Sequence, residues 1–194
     1  MSEPAQLHAP FAHIAPARRR EWDGVAAIIA ALVGLLALCV SGYTAYIQRQ
    51  QVRAQVWPYL EVSNFDSEHA LAVLNKGVGP AIVRSAQVWV DGKAQPDWKH
   101  VLNALDIPPR SFQDSTVNGT VLSAGERVAM IKILDEVVYQ RFRDAAKTRL
   151  GMQLCFCSTL GECWLYSDRM PGAHASQQSV GQCQNLPVAE LFND

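Results

Sequence analysis

The sequence predicts a mainly β fold: a β-sandwich of about seven strands with two inserted helices, preceded by one transmembrane helix. Three observations predict it. Residues 25–47 form an unbroken apolar run, seven short alternating or β-branched runs follow it, and four of the five cysteines lie beyond residue 150.

Length and composition bound the reading first. With 194 residues, 49% of them hydrophobic, the chain has room for one domain of ordinary size plus appendages and is not a disordered protein. Seventeen basic against eighteen acidic residues give a formal charge of -1. Neither sign forms a long run, so the electrostatic footprint of a nucleic-acid binder is missing.

The segment VAAIIAALVGLLALCVSGYTAYI, Val25 to Ile47, lies inside an uncharged window from Gly24 to Gln48. At ~1.5 Å per residue it reaches ~34 Å, enough to cross a ~30 Å hydrocarbon layer with some tilt. A cleaved signal would have a shorter leader, an apolar part of only ~7 to 15 residues and an A-x-A site, so the segment reads as a retained anchor in contact with the lipid bilayer. LALC, Leu36 to Cys39, resembles the lipobox of bacterial lipoproteins, whose cysteine is lipidated after cleavage. Leu38 stands where that motif has Gly, Ala or Ser, and Cys39 reads as a small apolar residue of a helix. Ala30 with Gly34, and Ala27 with Ala31, make small-xxx-small pairs through which two anchors could form a homodimer.

Orientation follows from the flanks. Arg18, Arg19 and Arg20 precede the span, whereas Arg49 and Arg53 follow it, which places the N-terminus inside. Residues 1–24 are expected as a disordered cytoplasmic tail, 25–47 as the transmembrane helix, 48–56 as a juxtamembrane helical linker and 57–190 as the folded domain. QRQQVRAQV is polar but made of good helix formers, and Trp57–Pro58 stops it because the residue before a proline is pushed out of helical geometry.

Within the domain, YLEVSNF, ALAVLN, AIVRSAQVWVDG, STVNGTVLS, ERVAMIKIL, GMQLCFCS and CWLYS read as strands separated by Gly, Pro, Asn or Asp. Two helical patterns interrupt them. Asp97 caps a short helix through Trp98, Val101, Leu102 and Leu105; Asp135 caps a longer one with Val138, Phe142 and Ala145 on one face and Gly151 just past its end.

The stretch CFCSTLGECW, residues 155–164, reads as a hairpin. If Ser158 pairs with Glu162, the loop is Thr159, Leu160 and Gly161, with glycine at the position that needs a left-handed residue. Cys157 then lies opposite Cys163 at a close, non-hydrogen-bonded pair where a cross-strand disulfide fits. Phe156 meets Trp164 and Leu154 meets Tyr166, so aromatics take one face and sulfurs the other. A second bridge from Cys155 to Cys183 would tie the C-terminal segment to the sheet. Four cysteines allow three pairings, and the diagonal Cys155–Cys163 stays open. Zinc would want paired C-x-x-C knuckles, and redox catalysis a C-x-x-C at a helix start; C-x-C followed by a single cysteine fits neither well. Disulfides persist where the compartment oxidises, which agrees with a domain outside the cytoplasm.

NKGVGPAIVRSAQVWVDG, Asn75 to Gly92, resembles the N-x-G-x-G-P-A element of many bacterial envelope domains of immunoglobulin-like type. Together with WPYLEV and CFCSTLGECW it resembles an uncharacterised family of short single-pass bacterial inner-membrane proteins with a β-rich, immunoglobulin-like periplasmic domain. The resemblance covers roughly residues 49–168 and implies an N-terminus in the cytoplasm and a C-terminal domain in the periplasm. It brings no catalytic residue to this chain. Without the resemblance, Gly77 and Gly79 read as positions adopting backbone conformations closed to other residues, and Pro80 as fixing the turn into the next strand. A phosphate-cradling loop would open a helix, and AIVRSAQVWV is strand-like.

Histidines at 8, 13, 69, 100 and 174 are scattered, and no G-x-S-x-G elbow is present. Asn118–Thr120 fits a glycosylation sequon by letters, while its NG also fits a hairpin turn. The chain is therefore expected to be an anchored periplasmic binding or structural module that meets another protein of the cell envelope, without catalytic residues, cofactor or metal. The alternative is a small-molecule sensor or enzyme whose site gathers distant residues such as Asp97, His100 and Glu126.

Overall fold

The computed structural model describes residues 19–109, 112–168, 175–187 and 191–193. The chain forms two compact units that divide between Arg49 and Gln50.

Helix α1 (Arg19–Gln55) is 37 residues long, and it is the one helix among the described residues long and apolar enough to cross a membrane. Its apolar stretch has a mean hydropathy of 2.6 and none of it is buried by protein. The hydroxyl of Thr44 donates to the Val40 carbonyl, so this polar group is satisfied within the helix. Residues Arg19–Gly24 belong to the helix, which corrects the expectation of a disordered tail reaching residue 24. The reason is local: Gly24 costs about 1 kcal/mol, too little to stop a helix that continues to Gln55 and carries Gly34 and Gly42 as well. Residues 1–18 of the expected tail lie outside the described residues. The expected helical linker continues the same helix: α1 runs unbroken to Gln55 and stops two residues before Trp57–Pro58.

The second unit contains two antiparallel sheets around one core. The first sheet is built from β1 (Leu60–Phe65), β2 (Ala70–Asn75), β5 (Phe112–Asp114) and β7 (Arg127–Ile133), in the order β1-β2-β7-β5. The second comprises β3 (Ala81–Val90), β4 (Lys93–Gln95), β8 (Leu150–Cys157), β9 (Cys163–Ser167) and β10 (Ser176–Val180), in the order β10-β9-β8-β3-β4, with β6 (Val121–Leu122) also on β3. Helices α2 (Trp98–Ala104) and α3 (Glu136–Arg149) contribute Trp98, Val101, Leu102, Tyr139 and Phe142 to the same core. Leu71, Val73 and Ile131 of the first sheet and Val83, Val88, Leu154 and Phe156 of the second complete it.

Among the described residues helix (36%) and strand (34%) are nearly equal, so the fold is mixed rather than mainly β. The strand count also differs: ten among the described residues, not about seven. Both expected caps are present, with Asp97 accepting from the His100 N–H and Asp135 from the Val138 N–H. The expected face of α3 packs inward: Phe142 is buried with Tyr139 and Ala146, and Val138 and Ala145 are partly buried against the core. Gly151 is no cap, however, but the second residue of β8, since the chain passes from helix to strand at Leu150.

The N-x-G-x-G-P-A element carries the chain from the first sheet to the second. Asn75 is fully buried and uses its whole amide: Oδ1 accepts from the N–H groups of Tyr59 and Gly77, and Nδ2 donates to the carbonyls of Gly79 and Leu122. Gly77 and Gly79 are not in the left-handed region, which corrects the conformational reading. Space is the reason for them: a Cβ on Gly77 would fall on the backbone of residues 57–59, and one on Gly79 on that of Val56.

Candidate binding cleft

The outer face of the second sheet is where unusual side chains converge, and one irregularity of β3 shapes it. Ala81 and Val83 point into the core, then the phase slips, and Ala86, Val88 and Val90 point in. Strand β8 has no matching extra residue: Val83 pairs with Phe156 and Ser85 with Cys155, leaving Arg84 as the bulged position. A bulge re-aims the side chain that it carries. Arg84 is exposed, and among the described residues it has no ion-pair partner, whereas Arg53, Arg127, Arg143 and Arg149 each have one.

Register sets out the rest of this face. The hairpin forms as its sequence implies: Cys157 is opposite Cys163, Phe156 opposite Trp164 and Leu154 opposite Tyr166. Gly161 takes φ 79°, and the Ser158 N–H donates to the Glu162 carbonyl at 2.8 Å. Phe156 is fully buried with its ring 6.1 Å from that of Trp164, so the sulfurs occupy the opposite, outer face. There the sulfurs of Cys157 and Cys163 stand at bonding distance, as do those of Cys155 and Cys183, with Cα separations of 4.0 Å and 5.7 Å. The pairing is that expected from register, not the diagonal one.

The two bridges adjoin. Cys157 Sγ and Cys183 Sγ are 3.8 Å apart, and the sulfurs of Cys157, Cys163 and Cys183 all lie within 4.8 Å of one another. A metal would need these sulfurs as thiolates, so it competes with the bridges for the same atoms. Cys39, the remaining cysteine, is unpaired and exposed on α1.

Cys183 belongs to a C-terminal strap, residues 181–187, that is drawn onto the sheet by its bridge to Cys155. Two adjoining cavities open between strap and sheet. One, of about 470 Å³, is lined by Arg84, the sulfur cluster and the amides of Gln182, Gln184 and Asn185. The other, of about 330 Å³, is lined by Gln87, Gln153, Gln182 and Gln184 with Leu165, Val180 and Leu186. Ser85, Gln182, Gln184 and Leu186 line both. Among the described residues that line the two, Arg84 is the one with a formal charge, and none is acidic or aromatic.

Beyond the strap the chain is pinned again. The Phe192 N–H donates to the Ala86 carbonyl, and its ring packs 5.0 Å from that of Trp98 in the core. Asn118 Oδ1 accepts from the Ala86 N–H, and its Nδ2 donates to the Phe192 carbonyl. That side chain is committed to structure, which leaves no amide for the glycosylation reading.

The gathered enzyme site does not assemble. Asp97 and His100 meet only as helix cap and third residue, Nδ1 lying 2.8 Å from Oδ1; burial pushes the Asp97 carboxyl up, but the hydrogen bonds and charge of His100 together with the Lys99 N–H bring its pKa below the ordinary value. Glu126 instead closes the 123–126 turn by accepting from the Ser123 N–H at 2.7 Å. Two other polar groups are tuned by burial. Asp168 is pushed upward by desolvation, partly offset by the N–H of Met152 and the hydroxyl of Tyr166. Tyr139 is raised to about 12 by desolvation and by its hydrogen bond to Asp66.

Sequence reasoning missed Arg84, Gln87, Gln153 and the strap glutamines. A trace of the first was legible, since two consecutive polar residues, Arg84 and Ser85, interrupt the alternation of AIVRSAQVWV. No family model, curated protein or solved structure matches the chain.

Proposed function

We propose that the chain is a single-pass protein of a bacterial inner membrane, its N-terminus in the cytoplasm, whose immunoglobulin-like periplasmic domain binds another protein of the cell envelope. The observation that carries the reading is the pair of open, amide-lined cavities on the outer face of the second sheet. Three further points support it. α1 exposes an apolar length sufficient for a bilayer. Sulfurs at bonding distance fit an oxidising compartment. Two antiparallel sheets sharing a core are an architecture that commonly recognises partners through edges and loops.

Crosslinking in intact cells tests it, with a short amine-to-carboxyl linker and mass spectrometry of the products. A discrete adduct with a second envelope protein is the expected result; recovery of free monomer alone under every growth condition overturns it. A small-molecule sensor is the second reading, favoured by cavity volumes of about 330 and 470 Å³, which fall in the usual ligand range. It predicts a rise in unfolding temperature with a periplasmic metabolite and no protein adduct.

A further inference from the structure

We infer that the cleft under the strap takes an extended peptide segment of the partner, with one carboxylate of that segment held by Arg84. The inference rests on the protein-partner reading and names the chemistry by which that partner is recognised.

Composition of the lining argues for a peptide. Gln153, Gln182 and Gln184 each present one carbonyl acceptor and one NH₂ donor, the same pair that every peptide unit offers in return. Leu165, Val180 and Leu186 supply an apolar floor for the side chains between those units. A glycan would ask instead for an aromatic platform under its C–H faces, and none of the described lining residues is aromatic. A cationic ligand finds no carboxylate among the described lining residues.

Charge and geometry then place the carboxylate. Arg84 stands at the bulge, exposed and without an ion-pair partner among the described residues, beside the larger cavity. Its planar guanidinium matches a carboxylate through two parallel N–H donors, which a lysine ammonium cannot reproduce. Amides on the strap stand on the far side of the same opening, so a segment entering there meets hydrogen-bond partners on both walls. The strap wall is fixed by the Cys155–Cys183 bridge, which keeps the cleft formed before anything binds.

The test is site-specific photocrosslinking of the full chain in intact cells, with p-benzoylphenylalanine replacing Gln87 or Gln182. The expected result is an adduct at both positions to a single segment of one envelope protein, carrying an Asp, a Glu or the chain-terminal carboxylate near the crosslinked residue. Arg84→Gln should reduce the yield about tenfold, the value of one charge-assisted bidentate contact, and Arg84→Lys should restore part of it. Folding of the variants is checked by the Cys155–Cys183 bridge, read as gel mobility before and after reduction. Adducts to lipid, glycan or a second copy of this chain overturn the inference; so does a captured segment without a carboxylate, or a yield that Arg84→Gln leaves unchanged. If the amine-to-carboxyl linker captures a partner while these two positions do not, the peptide cleft fails and the partner reading survives. Should neither capture a protein, both fail.

Discussion

Asn75 illustrates how one residue joins two sheets. Its buried amide satisfies two backbone N–H groups and two carbonyls from three separate segments. Truncation strands all four. Asn75→Ala is expected to lower the unfolding free energy by about 4 kcal/mol, below the sum of four separate penalties because the loop relaxes, and urea unfolding of the detergent-solubilised chain measures it. Asp168 makes the opposite case, a carboxylate held against its preference. Burial raises its pKa, so the folded state binds its proton more tightly than the unfolded state does. Its favourable contribution is complete below the ordinary carboxylate range and is lost as pH climbs through the raised value. Asp168→Asn keeps an acceptor for the Met152 N–H without a charge. Relative to the parent, the variant should gain more in unfolding temperature at about pH 7 than at about pH 4, and equal gains at both would refute the account.

At the scale of elements, the strap and the hairpin differ in what their bridges close. Cys155–Cys183 spans 28 residues and Cys157–Cys163 only 6. Chain-entropy reasoning gives about 3.5 kcal/mol for the first and about 2 kcal/mol for the second. The double variant Cys155→Ser/Cys183→Ser should therefore lose more stability in urea than Cys157→Ser/Cys163→Ser, although both remove one bridge. This ranking depends on register, and register was legible: the three-residue loop with Gly161 fixed every pair of the hairpin before the structure did. Strand β1 was legible from its alternation, and β2 and β7 from short apolar runs between turn residues. Others were hidden by physics that the alternation does not carry. Strand β10, SQQSV, is a polar edge with no buried face to mark it. Strand β5 has three residues, too few for a period. Strand β4 had a signal that went unread: Asp91 and Gly92, at φ 51° and 77°, form the two-residue turn that folds Lys93–Gln95 back onto β3. Arg149 then secures that turn through Nε and Nη2 to Asp91 while donating to the Ala104 carbonyl, a long-range link no local pattern announces. The cleft was the least legible feature, because it depends on a one-residue slip at Arg84 and on where a strap of ordinary polar residues is tied down.

For the whole molecule the proposed topology and the sulfur chemistry stand or fall together, and a count of thiols separates the possibilities. The chain has five cysteines, of which Cys39 is unpaired in the apolar helix and the other four are paired in the domain. Where glutathione or thioredoxin systems keep thiols reduced, bridges of this kind do not persist, and the three close sulfurs of Cys157, Cys163 and Cys183 would be available to a soft metal. A periplasmic domain retains them. Cells quenched in acid, denatured and treated with a maleimide polymer should thus give a chain with one added label before reduction and five after it. Five labels before reduction would place the domain in a reducing compartment and remove the fixed wall of the cleft. The peptide-binding geometry depends on the strap staying down, so the same measurement decides whether the cleft exists where its partner would have to be.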